Sequence, residues 1–129
     1  RQSRALKLWM SLQVFGVNAF RSAIEKGIAN AKYVEKRLSK LESWEIISPA
    51  TLGIVVFRYN PQGINAEELG ALNQRIADKL TQSGIAFVGT TLLNGLRVLR
   101  MCTINPRTTD EDFDQTIGAL DTFAKQLHV

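Results

Sequence analysis

The sequence predicts an α+β fold built on a four-stranded, mainly antiparallel sheet with helices packed on it. Two pairs of β-branched and aromatic runs, each pair joined by a short turn signal, predict two hairpins. Segments with apolar residues at three- and four-residue spacing stand before, between and after the hairpins, and they predict helices. Hairpins separated by a helix favour an antiparallel sheet. The predicted order is therefore ααββαββα.

The first two predicted helices differ in their surfaces. Residues 4–15 are apolar nearly all round, and a helix of that composition is normally covered on several sides. The stretch Gly16-Val17-Asn18 breaks the pattern, and Asn18 is a candidate N-cap. A longer amphipathic helix then runs to about Leu41. Its apolar positions are Phe20, Ile24, Ile28, Ala31, Val34, Leu38 and Leu41.

Four runs rich in β-branched and aromatic residues predict the strands. In order they are "WEIIS", "LGIVVFRY", "IAFVGTTLL" and "LRVLRMC", at 44–48, 52–59, 85–93 and 96–102. The first hairpin is predicted to turn at Ser48-Pro49. The second is predicted to turn at Asn94-Gly95, a dipeptide typical of tight hairpins.

Cap residues mark the two remaining helices. Asn65 is predicted to begin the helix between the hairpins, and Gly84 follows its end. The last helix starts near Thr109, where the run "TTDED" supplies a capping box, either Thr108 with Glu111 or Thr109 with Asp112. The predicted buried positions of these helices are Leu69, Leu72, Ile76, Leu80, Phe113, Ile117, Leu120, Ala124 and Leu127.

Composition indicates one globular domain. The chain has 129 residues, of which 45% are hydrophobic and 22% charged, and its net charge is +4. The basic residues are spread along the chain, so charge gives no argument for nucleic-acid or membrane binding. A single cysteine, Cys102, excludes an internal disulfide and favours a reducing, cytoplasmic location. Because the sequence begins with Arg1 within a turn of an apolar helix, we expect it to be a piece of a longer protein.

Few residues are candidates for chemistry. His128 is the one histidine and stands next to the last residue, so neither a Ser-His-Asp triad nor a zinc site with Cys102 is expected. Asp110, Glu111 and Asp112 are consecutive and do not converge as metal ligands would. No glycine-rich phosphate-binding motif is present. The chain alone is therefore not expected to contain a complete active site, a metal site or a cofactor site.

Arg100 is the exception, because it lies in the middle of a predicted strand. Alternation predicts that Leu96, Val98, Arg100 and Cys102 share one face. A buried guanidinium needs an anionic partner, because it keeps its charge. From the residues alone, an internal ion pair or a side chain reaching the sheet edge is favoured over capture of a ligand carboxylate or phosphate. Arg97, near the hairpin, is expected to reach solvent.

Three stretches resemble one enzyme family. They are "RALKLWMSLQVFG" (Arg4 to Gly16), "SPATLGIVVFRYN" and "LRMCTINPRTTDED" (Leu99 to Asp112). Together they are similar to the C-terminal part of the group II pyridoxal-phosphate-dependent amino-acid decarboxylases, such as the aromatic-L-amino-acid, glutamate, histidine and 2,4-diaminobutyrate decarboxylases. The opening "RQSR" departs from the more basic and aromatic R-R-F-R type of opening common in the family.

The resemblance implies a place for this chain in a larger enzyme. The family has the aspartate-aminotransferase-type fold, whose small C-terminal domain is a four-stranded antiparallel sheet with helices on one face. Residues 1–16 would link to a large domain outside this sequence, and residues 17–129 would form the small domain. The large domain would bind pyridoxal 5'-phosphate through its own lysine, so the family implies no catalytic or cofactor-binding residue here, and Lys7 is not taken for that lysine.

The resemblance also implies a function and partners. The full-length protein would be a homodimeric, cytoplasmic lyase that releases CO2 from an L-amino acid, and this piece would be inactive alone. Arg100 matches the family's strand arginine, which pairs with the substrate α-carboxylate. Neither nucleic acid nor membrane is implied as a partner.

Two other functions stay open beside the decarboxylase. One is a small amino-acid-binding or regulatory module, which would use Arg100 without catalysis. The other is an RNA-binding domain, which would need aromatic residues exposed on the sheet. The candidate strand aromatics are Trp44, Phe57, Tyr59 and Phe87, and we expect them to be core or edge residues instead.

Overall fold

The computed structural model describes residues 3–128, so Arg1, Gln2 and Val129, including the start of the predicted linking segment, lie outside the described residues. The elements, in chain order, are α1 (Arg4–Leu38), β1 (Trp44–Thr51), β2 (Ile54–Tyr59), α2 (Ala66–Ser83), β3 (Gly89–Leu93), β4 (Leu96–Cys102) and α3 (Asp110–His128). Among these described helices, none has the length and apolar content that crossing a membrane requires.

The four strands form one antiparallel sheet in the order β1-β2-β4-β3, so β2 and β4 are central and β1 and β3 are edges. Alternate side chains of the central strands, such as Phe57 and Leu99, join residues of all three helices in a single core. The helices therefore cover one face of the sheet, and the α+β prediction is confirmed. Complete burial of a side chain such as Phe57 stabilises the fold by about 1.5–3 kcal/mol.

Helix α1 contains the predicted break. Gly16 has φ 77° and ψ 157°, which lies outside the helical region. Asn18 does not cap a helix through its side chain, because its Oδ1 accepts a hydrogen bond from Arg21 Nη1 at 3.3 Å. The division into a linking segment 1–16 and a small domain 17–129 stays a prediction.

Large apolar side chains before and just after the break are exposed. Trp9 is 58% exposed and Phe15 67% exposed, and the others of this kind are Leu6, Leu8, Met10, Val14 and Val17. Farther along α1, Ala31, Val34 and Leu38 are buried as predicted, whereas Ile24 is 59% exposed. Ile24 lines an apolar groove with Phe20, Leu52 and Ile104. The apolar pattern of α1 is therefore satisfied by the core only over its last turns.

The predicted turn at Ser48-Pro49 is wrong. Strand β1 continues through Pro49 to Thr51, and the chain turns at Leu52-Gly53, with Leu52 at φ 57°. A proline is tolerated here because β1 is an edge strand and its pairing with β2 shifts register on both sides of Ser48. Glu35 of α1 reinforces this irregular stretch, since its Oε2 accepts a hydrogen bond from the Ala50 amide at 3.0 Å.

The third strand is shorter than predicted. Pairing with β4 begins at Gly89, opposite Arg100, and residues 85–88 precede the strand. The apolar run that suggested a longer strand is divided between two environments: Val88 is 2% exposed, whereas Phe87 is 78% exposed. The hairpin turn at Asn94-Gly95 is confirmed, with φ of 51° and 78° at the two residues.

Both predicted helix starts are confirmed in detail. Asn65 Oδ1 accepts hydrogen bonds from the Glu67 and Glu68 amides, at 3.1 and 2.9 Å. At α3 the capping box is Thr109 with Asp112: the Thr109 amide donates to Asp112 Oδ2 at 2.9 Å, and the Asp112 amide donates to Thr109 Oγ1 at 3.3 Å. The Gly84 end of α2 is also confirmed, with φ 73°.

Removing the capping side chain of α3 should destabilise the domain measurably. Thr109→Ala leaves the Asp112 amide without its acceptor, so we expect a loss of about 1 kcal/mol in the free energy of unfolding. Thr108→Ala is the matched control, because Thr108 is the cap of the box that does not form, and we expect it to change stability by less than about 0.5 kcal/mol. Urea unfolding measures both, and equal losses would contradict this assignment of the cap.

Candidate functional site

The candidate site lies on the open face of the sheet, defined as the face away from the helices. Along β4, Leu99 and Met101 are buried in the core, whereas Arg100 and Cys102 are exposed. The predicted alternation is confirmed for residues 99–102, whereas Val98, predicted on the face of Arg100, is buried. Arg100 is compatible with a strand of apolar residues because its side chain points away from the core that its neighbours enter.

The residues beside Arg100 on the open face are small or aliphatic. Across the sheet, Val56 of β2 lies opposite Arg100 on one side and Gly89 of β3 on the other, and Ser48 lies opposite Val56. Residues directly opposite on antiparallel strands share a face, with Cβ atoms about 4.5–5.5 Å apart. Neither flanking side chain carries an acceptor for the guanidinium, and Gly89 adds no side chain beside it.

Within residues 3–128, Arg100 takes part in no ion pair. The ion pairs of this part of the chain are Arg37 with Asp114 at 2.8 Å, Arg58 with Glu45 at 2.7 Å and Lys125 with Asp121 at 2.6 Å. The internal ion pair that the residues alone favoured for Arg100 is therefore wrong for the described residues.

A second arginine on the open face, Arg58, forms an ion pair within the domain. Arg58 Nε donates to Glu45 Oε2 at 2.7 Å, directly across the β1–β2 pair, and Asn60 Nδ2 donates to the same oxygen at 3.0 Å. The sequence analysis did not identify this pair, because it depends on the register between β1 and β2, which the chain alone does not give. The contrast sets Arg100 apart from Arg58, whose charge is already neutralised.

Arg97 faces the helices rather than free solvent. It is half-buried, and its Nη1 donates to Gln74 Oε1 of α2 at 2.9 Å, an oxygen that also accepts from Thr90 Oγ1 at 2.8 Å. The expectation that Arg97 simply reaches solvent is therefore wrong. The strand position next to a hairpin did not reveal that α2 packs over it.

A lysine at one open cavity of the domain is engaged by a carboxylate. Lys125 lines an open cavity with Tyr59 and His128, but its ammonium donates to Asp121 Oδ2 at 2.6 Å. That hydrogen bond and the negative charge of Asp121 raise the pKa of Lys125, which keeps the amine protonated and unreactive. No group of residues in 3–128 has the ligands to hold a metal ion.

The core placement of the aromatic residues weakens the RNA-binding alternative. Trp44, Phe57 and Tyr59 are at most 7% exposed, on the face covered by helices. Trp44 Nε1 also donates to Asp121 Oδ1 at 3.1 Å, which fixes its ring in the core. A base-stacking sheet needs such rings in solvent, and of the four candidates only Phe87 is exposed.

The two tyrosines should titrate late. Burial first, and then the hydrogen bond from Tyr33 Oη to Asp114 Oδ1 at 3.0 Å, raise the pKa of Tyr33 above 10.0. Burial and the charge of Asp121 raise the pKa of Tyr59 likewise. A raised folded-state pKa means that the folded protein holds these protons longer than the unfolded chain, so stability is fully present below pH 10 and falls as pH rises further.

An absorbance titration of phenolate checks this expectation. Since Tyr33 and Tyr59 are the only tyrosines in the sequence, a Tyr33→Phe variant isolates the Tyr59 signal. We expect both phenolates to form above pH 10 and the Tyr59 signal to appear together with loss of the folded circular dichroism spectrum. The same titration in urea should shift to lower pH. A folded protein whose tyrosines titrate at or below pH 10 would contradict the burial and contacts described above.

Comparison with known proteins identifies what this arrangement resembles. Residues 1–60 match the family described as the pyridoxal-dependent decarboxylase conserved domain. The chain is 42% identical over 130 residues to an aromatic-L-amino-acid decarboxylase of Bacillus atrophaeus, covering 100% of this chain and 27% of that protein. It is 32% identical over 127 residues to an L-2,4-diaminobutyrate decarboxylase of Acinetobacter baumannii, covering 98% of this chain and 25% of that protein.

Solved structures share the fold. The crystal structure of Catharanthus roseus tryptophan decarboxylase in complex with L-tryptophan matches with a TM-score of 0.83 at 25% identity, over 98% of this chain and 26% of that chain. The structure of Oryza sativa TDC with PLP and tryptamine matches with a TM-score of 0.87 at 23% identity, over 98% of this chain and 28% of that chain. This chain spans about a quarter of the length of these relatives. In sequence and in fold, it corresponds to a small-domain portion of the pyridoxal-dependent decarboxylases.

Proposed function

We propose that this chain is the C-terminal small domain of a pyridoxal-phosphate-dependent L-amino-acid decarboxylase, and that Arg100 binds the α-carboxylate of the substrate. The observation that carries the proposal is the exposed guanidinium of Arg100, which has no ion-pair partner among residues 3–128 and stands between Val56 and Gly89. An arginine in such a position can accept an anion from outside the domain without first breaking a contact inside it.

The guanidinium suits this role by its shape. Its planar fork presents two parallel N–H donors that match the two oxygens of a carboxylate, so binding also fixes the orientation of the bound group. Pyridoxal phosphate, when bound by the rest of the protein, supplies the sink for the electron pair that CO2 leaves behind. By holding the carboxylate, Arg100 would fix the torsion about the bond between the α-carbon and the carboxylate carbon, which is the bond that breaks.

The contribution of Arg100 is to orient the substrate rather than to bind it tightly. The carboxylate loses its charge as it becomes CO2, so a strong ion pair in the ground state would raise the barrier. The open face provides that balance, because Arg100 is exposed and has no second cation beside it: Arg58, the other arginine of this face, is neutralised by Glu45. A single exposed arginine would therefore orient the carboxylate without strongly stabilising its charge in the ground state.

The apolar segment before Gly16 is proposed to be covered by the rest of the full-length protein. Support comes from the exposure of Leu8 and Trp9, at 55% and 58%, on the part of α1 before Gly16, which contributes no residue to the core cluster. A contiguous apolar surface of this kind is typical of an interface. We further propose that the full-length enzyme is a cytoplasmic homodimer and that this piece alone is inactive, because the cofactor lysine would lie in the rest of the full-length protein.

The test of the proposed function uses the full-length protein. It is purified with pyridoxal phosphate, its cofactor absorbance is recorded, and CO2 release is followed from aromatic, acidic and basic L-amino acids. We expect a bound-cofactor spectrum and release of CO2 from one of these classes. If no cofactor binds, the decarboxylase proposal fails. Saturable amino-acid binding without CO2 release would then favour an amino-acid-binding module that uses Arg100 in the same way.

A further inference from the structure

Phe87 is an exposed aromatic residue on a segment that is otherwise fixed. Its side chain is 78% exposed, while the next residue, Val88, is 2% exposed and belongs to the core. The backbone at Phe87 is thus anchored by its neighbour, and strand pairing begins one residue later at Gly89. A large ring held in solvent on an anchored backbone has a cost that a partner would remove.

The ring of Phe87 lies on the open face, close to the row of Arg100. Its Cε1 atom is 3.9 Å from the point that a Cβ atom on Gly89 would occupy, and Gly89 is directly opposite Arg100. Phe87 precedes β3 by two residues, and this contact places its ring beside the strand position that faces Arg100. Residues directly opposite on one face have Cβ atoms about 4.5–5.5 Å apart, a separation that aromatic and long side chains span.

The surroundings of these two side chains are apolar. Ile54 is 39% exposed on the open face. It lies opposite Cys102, which is two residues after Arg100 in β4. Glu45 of β1 is the acidic side chain opposite Arg58. Within the described part of the chain it accepts hydrogen bonds from Arg58 and Asn60. Beside Arg100 the open face therefore combines one unpaired cation with the apolar side chains of Val56, Ile54 and Phe87. It carries no second free charge among residues 3–128 to recognise a charged group.

We propose that Phe87 determines substrate specificity by packing against the side chain of an amino acid whose α-carboxylate is held by Arg100. The substrate class that this arrangement fits is an amino acid with an uncharged, apolar or aromatic side chain, because a charged side chain would lose its hydration against the ring without gaining a partner. The absence of a side chain at Gly89 provides the space in which carboxylate and ring contacts are made together. This inference rests on the proposed function.

Two simple carboxylates separate the roles of the two residues. The full-length protein with bound pyridoxal phosphate is titrated calorimetrically with 3-phenylpropionate, which has a carboxylate and a ring, and with propionate, which has the carboxylate alone. We expect Phe87→Ala to weaken 3-phenylpropionate by about 10-fold or more and to leave propionate within about twofold. Phe87→Tyr should keep the affinity for 3-phenylpropionate near wild type. Arg100→Ala should weaken both ligands.

Leu92→Ala is the matched control. Leu92 is 64% exposed on the same edge strand, but it lies opposite Arg97 and so belongs to the other face. We expect it to leave both affinities unchanged. If Phe87→Ala changes neither ligand, or weakens both equally, the role of Phe87 is refuted while the assignment of Arg100 survives. If wild type binds neither carboxylate, or Arg100→Ala has no effect, the proposed function fails and this inference fails with it. An unchanged cofactor spectrum and melting temperature verify that each variant is folded.

Discussion

Replacing Arg100 with alanine in the full-length protein is expected to lower kcat/KM for amino-acid decarboxylation by about 100- to 1000-fold. Removing one partner of a charge-assisted contact costs about 2–5 kcal/mol, and each 1.4 kcal/mol is a factor of ten. No other basic side chain of the described open face would compensate, since Arg58 is engaged by Glu45. The cofactor spectrum should be unchanged, because Arg100 is proposed to contact the substrate and not the cofactor.

Two further variants separate charge from shape. Arg100→Lys keeps a positive charge but loses the planar fork, so we expect a loss of about 10- to 100-fold, with most of it in kcat if orientation is the main role. Arg97→Lys is the control on the same strand, because Arg97 faces α2 and bonds to Gln74. It should retain nearly all of kcat/KM. An Arg100→Lys enzyme that matches wild type would remove Arg100 from the substrate site.

Replacing Asn73 with leucine is expected to cost about 3–5 kcal/mol of folding free energy. Asn73 is fully buried, and its Nδ2 donates to the carbonyl oxygens of Tyr59 and Leu69, each at 2.9 Å, while its Oδ1 accepts from the Tyr59 amide at 2.9 Å. Leucine has a similar volume, but it cannot form either hydrogen bond with the Tyr59 backbone. The amide and the carbonyl of Tyr59 would then be buried without a partner. Each such group costs about 1–3 kcal/mol.

The position of Tyr59 in the sheet explains why it depends on a side chain. Tyr59 pairs with Trp44 of β1, whereas the pairing between β2 and β4 ends at Phe57. Asn73 thus supplies, from a helix, the hydrogen bonds that a strand would otherwise make. Gln82→Leu is the control, because Gln82 is exposed on the same helix, and it should change stability by less than about 0.5 kcal/mol. Urea unfolding measures both variants. An Asn73→Leu protein as stable as wild type would show that water or a shifted backbone satisfies Tyr59 instead.

The sequence could predict those features that depend on local chemistry. The hairpin at Asn94-Gly95 and the capping box at Thr109 follow from residues adjacent in the chain, and both are present. The alternation that puts Arg100 and Leu99 on opposite faces is likewise a property of any strand. For the same reason, Arg100 could be singled out before its surroundings were known.

Features set by contacts distant in sequence could not be predicted. Pro49 indicated a turn because a central strand excludes it, but β1 is an edge strand, and only the assembled sheet determines that. The pairing of Glu45 with Arg58 likewise depends on the strand register, which only the assembled sheet shows. Asn73 resembled any polar helical residue, and its role depends on where β2 ends. Whether Arg100 had a carboxylate partner was also a question of three-dimensional proximity.

The break at Gly16 has a consequence for the dimensions of the protein. An unbroken helix of 35 residues would be a rod about 52 Å long. A compact domain of 129 residues has a radius of gyration of about 14 Å, so such a rod would extend far past it. The φ and ψ of Gly16 lie in a region accessible essentially to glycine alone, although a Cβ atom there would meet nothing within 4 Å. Glycine is needed here for backbone direction and not for space, so one hydrogen atom in place of a side chain decides which way residues 4–15 leave the domain.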